Sequence, residues 1–290
     1  MFSGVRVLDC TLGGGGHSEA ILSRLGGEGQ VVGLDCDEMA LAAATRRLQG
    51  FTNFRAVRAN FGQLEDEEFR QSLGLQDRIL MDLGVSSPQF DLGERGFSIR
   101  HNGPLDMRMD QRLERTAREI VETASEEELR RIFFQFGEEP QAGKVARHLV
   151  RARTQRSLVT TSDLVEVLAQ VLGGPRRGKV HPATRIFQAL RMEVNQELER
   201  LQAGLRGAYE LLAPEGRLLV LSYHSLEDRC VKQFFQSHAG RCQCPRGVPV
   251  CVCGAQASLK FRGRAIQASA EEVRENPRAR SVRLRVAIRV

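Results

Sequence analysis

The stretch Asp9-Cys10-Thr11-Leu12-Gly13-Gly14-Gly15-Gly16-His17 joins an apolar run to a helical pattern, and it constrains the fold more than any other part of the chain. Val5-Arg6-Val7-Leu8-Asp9 reads as a strand. Ser18 to Leu25 has helical spacing, with Ala20, Ile21, Leu22 and Leu25 apolar. Glycines at such a junction let the backbone turn sharply and approach a ligand closely. Val31-Val32-Gly33-Leu34-Asp35 is a second apolar run, and its terminal acid stands 20 residues after Gly15. A carboxylate in that place suits the two hydroxyls of a ribose. A tight loop without a ligand would also use glycines. The preceding strand, the following helix and the spaced acid together favour a ribose-containing cofactor.

The same rhythm continues. Glu38 to Leu48 is helical, Phe54 to Ala59 is a weaker strand, and Ile79-Leu80-Met81-Asp82-Leu83 is a fourth strand. Strand–helix alternation implies right-handed crossovers and a parallel sheet. From Pro104 to Val180 no strand pattern appears. Helices are expected after Ser125, over Gln141 to Arg156, and over Ser162 to Leu172, with Ser125 and Ser162 as caps. A long helix over Ala183 to Leu212 then leads to a buried strand, Arg217 to Ser222. Ser281 to Ile288 alternates as a last strand. The expected layout is a discontinuous α/β domain, residues 1–103 and 183–290, threaded by an all-helical insert at 104–182.

With 290 residues, 41% of them hydrophobic, the chain can bury a sizeable core, which excludes disorder as the whole account. No stretch approaches the roughly 18 apolar residues of a membrane helix. Met1 to Asp9 lack a secretory pattern, so a cytoplasmic protein is expected. The net charge of +6 points weakly to a polyanionic partner. The segment from Ala257 to Val290 holds nine basic and three acidic residues, so it accounts for the whole excess.

Two cofactor classes compete for the glycine turn. A dinucleotide fingerprint needs a third small residue inside the helix, and Ser18 or Glu19 stands there. That argues against a nicotinamide-dependent oxidoreductase. S-adenosylmethionine has no pyrophosphate to cradle. It suits acids and polar groups at successive strand ends, here Asp9, Asp35, Asn60-Phe61 and Asp82. Between Asp35 and Asp37, Asp35 lies nearer the strand end and is the expected ribose ligand.

Seven ordered motifs then carry a resemblance. They are Thr11 to His17 (TLGGGGH), Leu83 to Gln89 (LGVSSPQ), Glu94 to Ser98 (ERGFS), Gly103 to Asp110 (GPLDMRMD), His181 to Arg191 (HPATRIFQALR), Ser222 to Arg229 (SYHSLEDR) and Asn276 to Ser281 (NPRARS). This set resembles the RsmH (MraW) methyltransferases over nearly the whole chain. The resemblance implies a class I, Rossmann-like methyltransferase sheet with an inserted helical domain. It also implies S-adenosylmethionine-dependent methylation of a cytidine N4 in the decoding centre of bacterial small-subunit (16S) rRNA. By the same resemblance Gly15, Gly16, His17, Asp35, Phe61, Asp82 and Gln89 are expected to contact the cofactor. Family members carry a further N-terminal segment with a His-x-Pro-Val-Leu-Leu run; here Met1 lies just ahead of the first strand.

The cytosine amine is a weak nucleophile, because its lone pair is delocalised into the ring. It needs orientation and a hydrogen-bond acceptor for its N–H. Asp82, heading the turn Asp82-Leu-Gly-Val-Ser-Ser-Pro88, is the expected acceptor. Tyr223 and His224 are the expected companions, with Ser225 capping the next helix. Asp106 and Asp110 with Arg108 either line a substrate entrance or pair with one another. Lys144, Arg147, His148 and Arg151 share one helix face and, with Arg278 and Arg280, are expected to meet RNA phosphates, in naked rRNA or an assembled 30S subunit. An extruded base wants an aromatic platform, for which Tyr223, Phe90 and Phe97 are candidates. Cys242, Cys244, Cys251 and Cys253 give four thiols within 12 residues, enough for a tetrahedral zinc site. The two C-x-C pairs are tighter than ordinary knuckles, so zinc and free thiols both stay open. A non-catalytic ribosome-binding factor on the same scaffold is the remaining alternative.

Overall fold

The computed structural model describes residues 4–175, 180–240 and 256–290. β1, Arg6–Asp9, runs through the glycine turn into α1, Gly16–Leu25. Gly15 caps α1 at φ 81°, a conformation that favours glycine. A Cβ there would sit 3.2 Å from Ala44 and Leu48, so the position needs glycine twice over. β2, Gln30–Asp35, and α2, Glu38–Arg47, repeat the unit. β3, Phe54–Arg58, a 3-10 turn at Phe61–Glu65, α3, Glu67–Leu73, and β4, Gln76–Asp82, follow.

The next stretch is helical. α4 spans Ser87–Asp91, α5 Ala117–Thr123, α6 Glu126–Gln135, α7 Ala142–Gln155, α8 Thr161–Leu172 and α9 Thr184–Asn195. Ser125 caps α6 as expected. α8 is capped by Thr160 and not Ser162: the Thr160 hydroxyl accepts from Asp163 N–H, and Asp163 reaches back to the Thr160 amide. α5 was not foreseen. It is only two turns long, and its signal is the Thr116/Glu119 capping box.

The single helix expected over 183–212 is two helices. The chain turns at Gln196, φ 51°, and restarts as α10, Glu197–Leu211. Asn195 supplies the reason. Its buried amide donates to Met107 and Arg191 carbonyls and accepts from Met109 N–H, so it serves a loop as well as the helix it ends. Hydrophobic spacing runs on through this point and gives no warning.

β5, Leu212–Ser222, and α11, Ser225–Ser237, come next. β6, Leu259–Phe261, β7, Ile266–Gln267, α12, Ala270–Glu275, and β8, Arg283–Arg289, complete the described chain. β6 and β7 have three and two residues, too few for an alternating pattern to be read.

The chain divides into two compact units. One comprises the residues up to Gly84 and from Leu198 onward; the other is Val85–Glu197. The first unit is built on one sheet of order β3-β2-β1-β4-β5-β8-β6, with β7 also pairing β8. β1 to β5 are parallel, and β8 is antiparallel to its neighbours. Successive strand residues point to opposite faces. Leu8, Leu34, Ile79 and Met81 therefore join Leu201, Leu205 and Ala208 of α10 in one core. Val7 and Val31 join Leu22 of α1 and Ala44 of α2 in the other. This is the Rossmann-like α/β class expected from the sequence.

The C-terminal cations are partly structural. Arg285 donates to Asp228 through Nε at 2.7 Å and Nη2 at 3.1 Å, and Arg283 Nη1 donates to it at 2.8 Å. Burial alone would raise the Asp228 carboxyl, but the two guanidiniums outweigh it and hold its pKa below the usual range. Arg289 donates to the Tyr209, Glu210 and Leu212 carbonyls. Three of the nine basic residues thus hold the sheet together, and the formal excess overstates what this segment presents to RNA. Asp228 and Arg285 are 7% and 6% exposed. Asp228→Ala strands a buried guanidinium, and a loss of about 3–5 kcal/mol in urea unfolding is expected.

Candidate active site

The sheet order reverses between β1 and β4, which pair directly. In open α/β sheets ligands bind at the carboxyl ends of the strands beside such a reversal. Asp9 ends β1 and Asp82 ends β4.

Asp82 is the convergence point. Its amide donates to the Thr11 hydroxyl at 2.7 Å, which ties the end of β4 to the glycine turn. Its Oδ1 accepts the Tyr223 O–H at 2.8 Å, and its Oδ2 lies 3.2 Å from His17 Nε2. The hydrogen bond to Asp82 raises the His17 pKa above its ordinary value, against the opposing effect of burial. Burial first, and the Asp82 charge second, push the Tyr223 phenol far up, so it stays a donor. Three residues named from the sequence as separate candidates thus form one hydrogen-bonded group.

Asp35 and Asp37 have different tasks. Asp37 is buried and caps α2, accepting from Met39 N–H at 3.0 Å. Asp35 accepts from Gly13 N–H at 2.8 Å and from Asp37 N–H at 2.9 Å, so it holds the glycine turn. Burial raises its pKa to about 6, although both N–H groups and the nearby acids also act on it. Asp9 is fully buried, accepting from the Ser18 hydroxyl at 2.8 Å and from Thr11 N–H at 3.2 Å. Burial raises its pKa too. Ser18, the position where a dinucleotide fingerprint wants glycine, is a buried tie between β1 and α1.

The other expected residues are distributed as follows. Gly15 and Gly16 form the start of α1, and Arg47 of α2 lies over them, its Nη1 donating to Gly14 O at 3.0 Å. Arg47 and Thr11 were missed by sequence reasoning; Thr11 has a signal, two residues past a strand-end acid, and Arg47 has none. Phe61 is half-buried against α10, where a Cβ on Gly204 would come 2.6 Å from its ring. Gln89 belongs to the helical unit, is buried, and accepts from Ser86 N–H at 3.0 Å. His224, not Ser225, caps α11: its Nδ1 accepts from Glu227 N–H at 3.5 Å. Glu227 in turn accepts from the Tyr223 amide at 2.8 Å, and its other oxygen is 3.1 Å from His224 Nε2. This cap fixes the backbone that delivers the Tyr223 ring to Asp82.

In the helical unit Asp106 clasps Arg108, and Asp110 clasps Arg112, so both acids pair with neighbours along the chain. Lys144, Arg147 and Arg151 are exposed on α7, and Arg147 reaches Glu126 at 3.3 Å. His148 is half-buried, with Nε2 3.0 Å from Gln170 Oε1. Arg278 and Arg280 are exposed on the 3-10 turn Pro277–Ser281. Cys242, Cys244, Cys251 and Cys253 lie outside the described residues. Cys10 and Cys36 are buried and Cys230 is half-buried.

The profile of the MraW methylase family matches residues 3–290. The ribosomal RNA small subunit methyltransferase H of Symbiobacterium thermophilum is 48% identical over 286 residues, covering 98% of this chain and 90% of that protein. The protein of the same name from Thermomicrobium roseum is 48% identical over 291 residues, with 99% and 88% covered. That from Carboxydothermus hydrogenoformans is 46% identical over 282 residues, with 97% and 90% covered.

Proposed function

The chain belongs to the MraW methylase family, and from that premise we propose that it transfers a methyl group from S-adenosylmethionine to the exocyclic N4 of a cytidine in the decoding centre of 16S rRNA. Its partner is then the small-subunit rRNA, naked or within an assembled 30S subunit, in the bacterial cytoplasm. We assign cofactor binding to the 1–103 and 183–290 portions and RNA recognition to the helical segment 104–182.

The observation that carries the reading is the group His17–Asp82–Tyr223 at the reversal point of the sheet. The site fits the cofactor by its donor set. Asp35 is a carboxylate already accepting from the glycine turn, and the missing side chains of Gly15 and Gly16 let that turn pack closely on Ala44, Leu48 and Arg47. In this assignment Asp35 holds the ribose, while Gly15, Gly16, His17, Phe61 and Gln89 complete the contacts. S-adenosylmethionine supplies an electrophilic methyl group.

Asp82 does the rest of the positioning. Each carboxylate oxygen has a second lone pair beyond those used by Tyr223 and His17. One can accept a cytosine N4–H, raising electron density on nitrogen and aiming it. The same oxygen can take the proton that the amine sheds once it is methylated. Tyr223 stays protonated and keeps the carboxylate from rotating, and His17 does so from the other side. His224 acts through the α11 cap that sets Tyr223.

The test is transfer of labelled methyl from S-adenosylmethionine to small subunits isolated from cells lacking the modification, beside calorimetry with S-adenosylmethionine and with NAD. Label in 16S rRNA, with cofactor binding confined to S-adenosylmethionine, is expected. NAD binding without S-adenosylmethionine binding would overturn the reading. Subunit binding without label would turn it into that of a binding factor.

A further inference from the structure

α6 turns Glu127, Arg130, Arg131 and Phe134 outward at i, i+3, i+4 and i+7. Phe134 is 69% exposed, more than any other large apolar side chain among the described residues. Its neighbours Ile132 and Phe133 are fully buried, so α6 has its core contacts without it. Nothing in folding calls for an aromatic ring here.

Arg130 and Arg131 stand one turn before it, with the exposed acids Glu126 and Glu127 about two turns before it and Glu138 four residues after it. Arg130 lies along α7, where a Cβ on Gly143 would be 3.5 Å from its Cδ. Lys144, Arg147 and Arg151 continue the exposed face of α7. Among the described residues Arg147 pairs with Glu126, and both side chains are exposed. Such a pair is worth little and yields readily to a phosphate. Arg131 is used differently, donating to Gln135 and Glu193.

A lone exposed ring beside charged side chains is a poor protein hot spot, which wants a desolvated apolar centre. It is a good stacking platform for an unpaired base, with cations for the flanking phosphates. We infer that the outer face of α6 and α7 receives a single-stranded stretch of RNA, with Phe134 stacked on a base and Arg130, Lys144, Arg147 and Arg151 on phosphates. The inference rests on the RNA substrate proposed above and adds a contact distinct from the target cytidine.

Fluorescence anisotropy of a labelled single-stranded RNA dodecamer, titrated with the full-length protein, tests it. Phe134→Ala is expected to weaken binding about tenfold, and Phe134→Trp to keep it. Phe134→Leu is expected to behave like the alanine variant, because an aliphatic chain cannot stack. Arg130→Gln and Arg151→Gln should each lower the salt slope by about 0.7. S-adenosylmethionine affinity and the thermal midpoint should not change, since the ring is unpacked. Absence of wild-type binding, wild-type affinity in Phe134→Ala, or wild-type affinity in Phe134→Leu would overturn the inference. The assay requires no methyl transfer. RNA binding by a protein that methylates nothing would sink only the preceding proposal, and active enzyme indifferent to Phe134 would sink only this one.

Discussion

Asp82→Ala is expected to lower methyl transfer by about a thousandfold or more while S-adenosylmethionine still binds. A positioned acid–base group typically contributes about 10²–10⁴ in rate. Here the same side chain also anchors Tyr223 and His17, so its removal releases all three groups. Asp82→Asn separates shape from charge: it can still receive the Tyr223 hydrogen bond but accepts a proton poorly, so a comparable loss is expected. Tyr223→Phe should lose about tenfold, since the carboxylate survives and only one support goes. Because the residues act as one group, Asp82→Asn combined with Tyr223→Phe should be little worse than Asp82→Asn alone. Single-turnover kinetics on small subunits reads this directly. Turnover within a few fold of wild type in Asp82→Asn would refute the role.

The second large effect is on cofactor affinity and its pH dependence. Asp35 titrates at about 6 in the folded chain, against an ordinary 3.8. A ribose needs the ionised carboxylate. Moving from pH 7.5 to pH 5 leaves about a tenth of it ionised, and affinity should fall about tenfold. Asp35→Asn should bind about ten- to a hundredfold more weakly at pH 7.5, because hydrogen bonds to a charged acceptor are the strong ones. Its affinity should no longer change across that range on account of position 35. The sign on stability is opposite. Between about pH 4 and pH 6 the folded chain holds a proton that the unfolded chain has lost, so stability falls as pH rises through that window. Ionised Asp35 is therefore a net cost at neutral pH. Asp35→Asn removes that cost but leaves one of the two N–H groups that Asp35 accepts from without an acceptor, so its melt at pH 7.5 is read beside the affinity to separate a binding defect from misfolding. Calorimetry and a thermal melt at the two pH values are sufficient. A wild-type affinity flat from pH 7.5 to 5 would remove Asp35 from the ribose.

The parts of this arrangement that sequence made visible share a cause. A strand end is marked locally, by an apolar run stopping at an acid or a glycine. Asp9, Asp35 and Asp82 could therefore be named, and so could the α/β rhythm that carries them. The choice between Asp35 and Asp37 could not be made on spacing alone, because it depends on which carboxylate is consumed by the α2 cap. Convergence was equally hidden. Tyr223 is 141 residues from Asp82, and no local pattern states that their side chains meet. The capping errors have one physical origin: Thr160 and His224 compete with serines one or two positions later, and the backbone entry angle decides between them. The break at Gln196 is imposed by Asn195 serving a loop more than 80 residues earlier. The cationic tail looked uniform because charge counts do not distinguish an exposed Arg280 from an Arg285 closed around Asp228.

The identity of the methylated atom decides the role of Asp82. Nucleoside mass spectrometry of 16S rRNA, after incubation of modification-deficient small subunits with the wild-type protein and deuterated-methyl S-adenosylmethionine, measures it. The label is expected in N4-methylcytidine. Label on a ring carbon, a ribose oxygen or another base would contradict the role given to Asp82 and the amine it is proposed to orient.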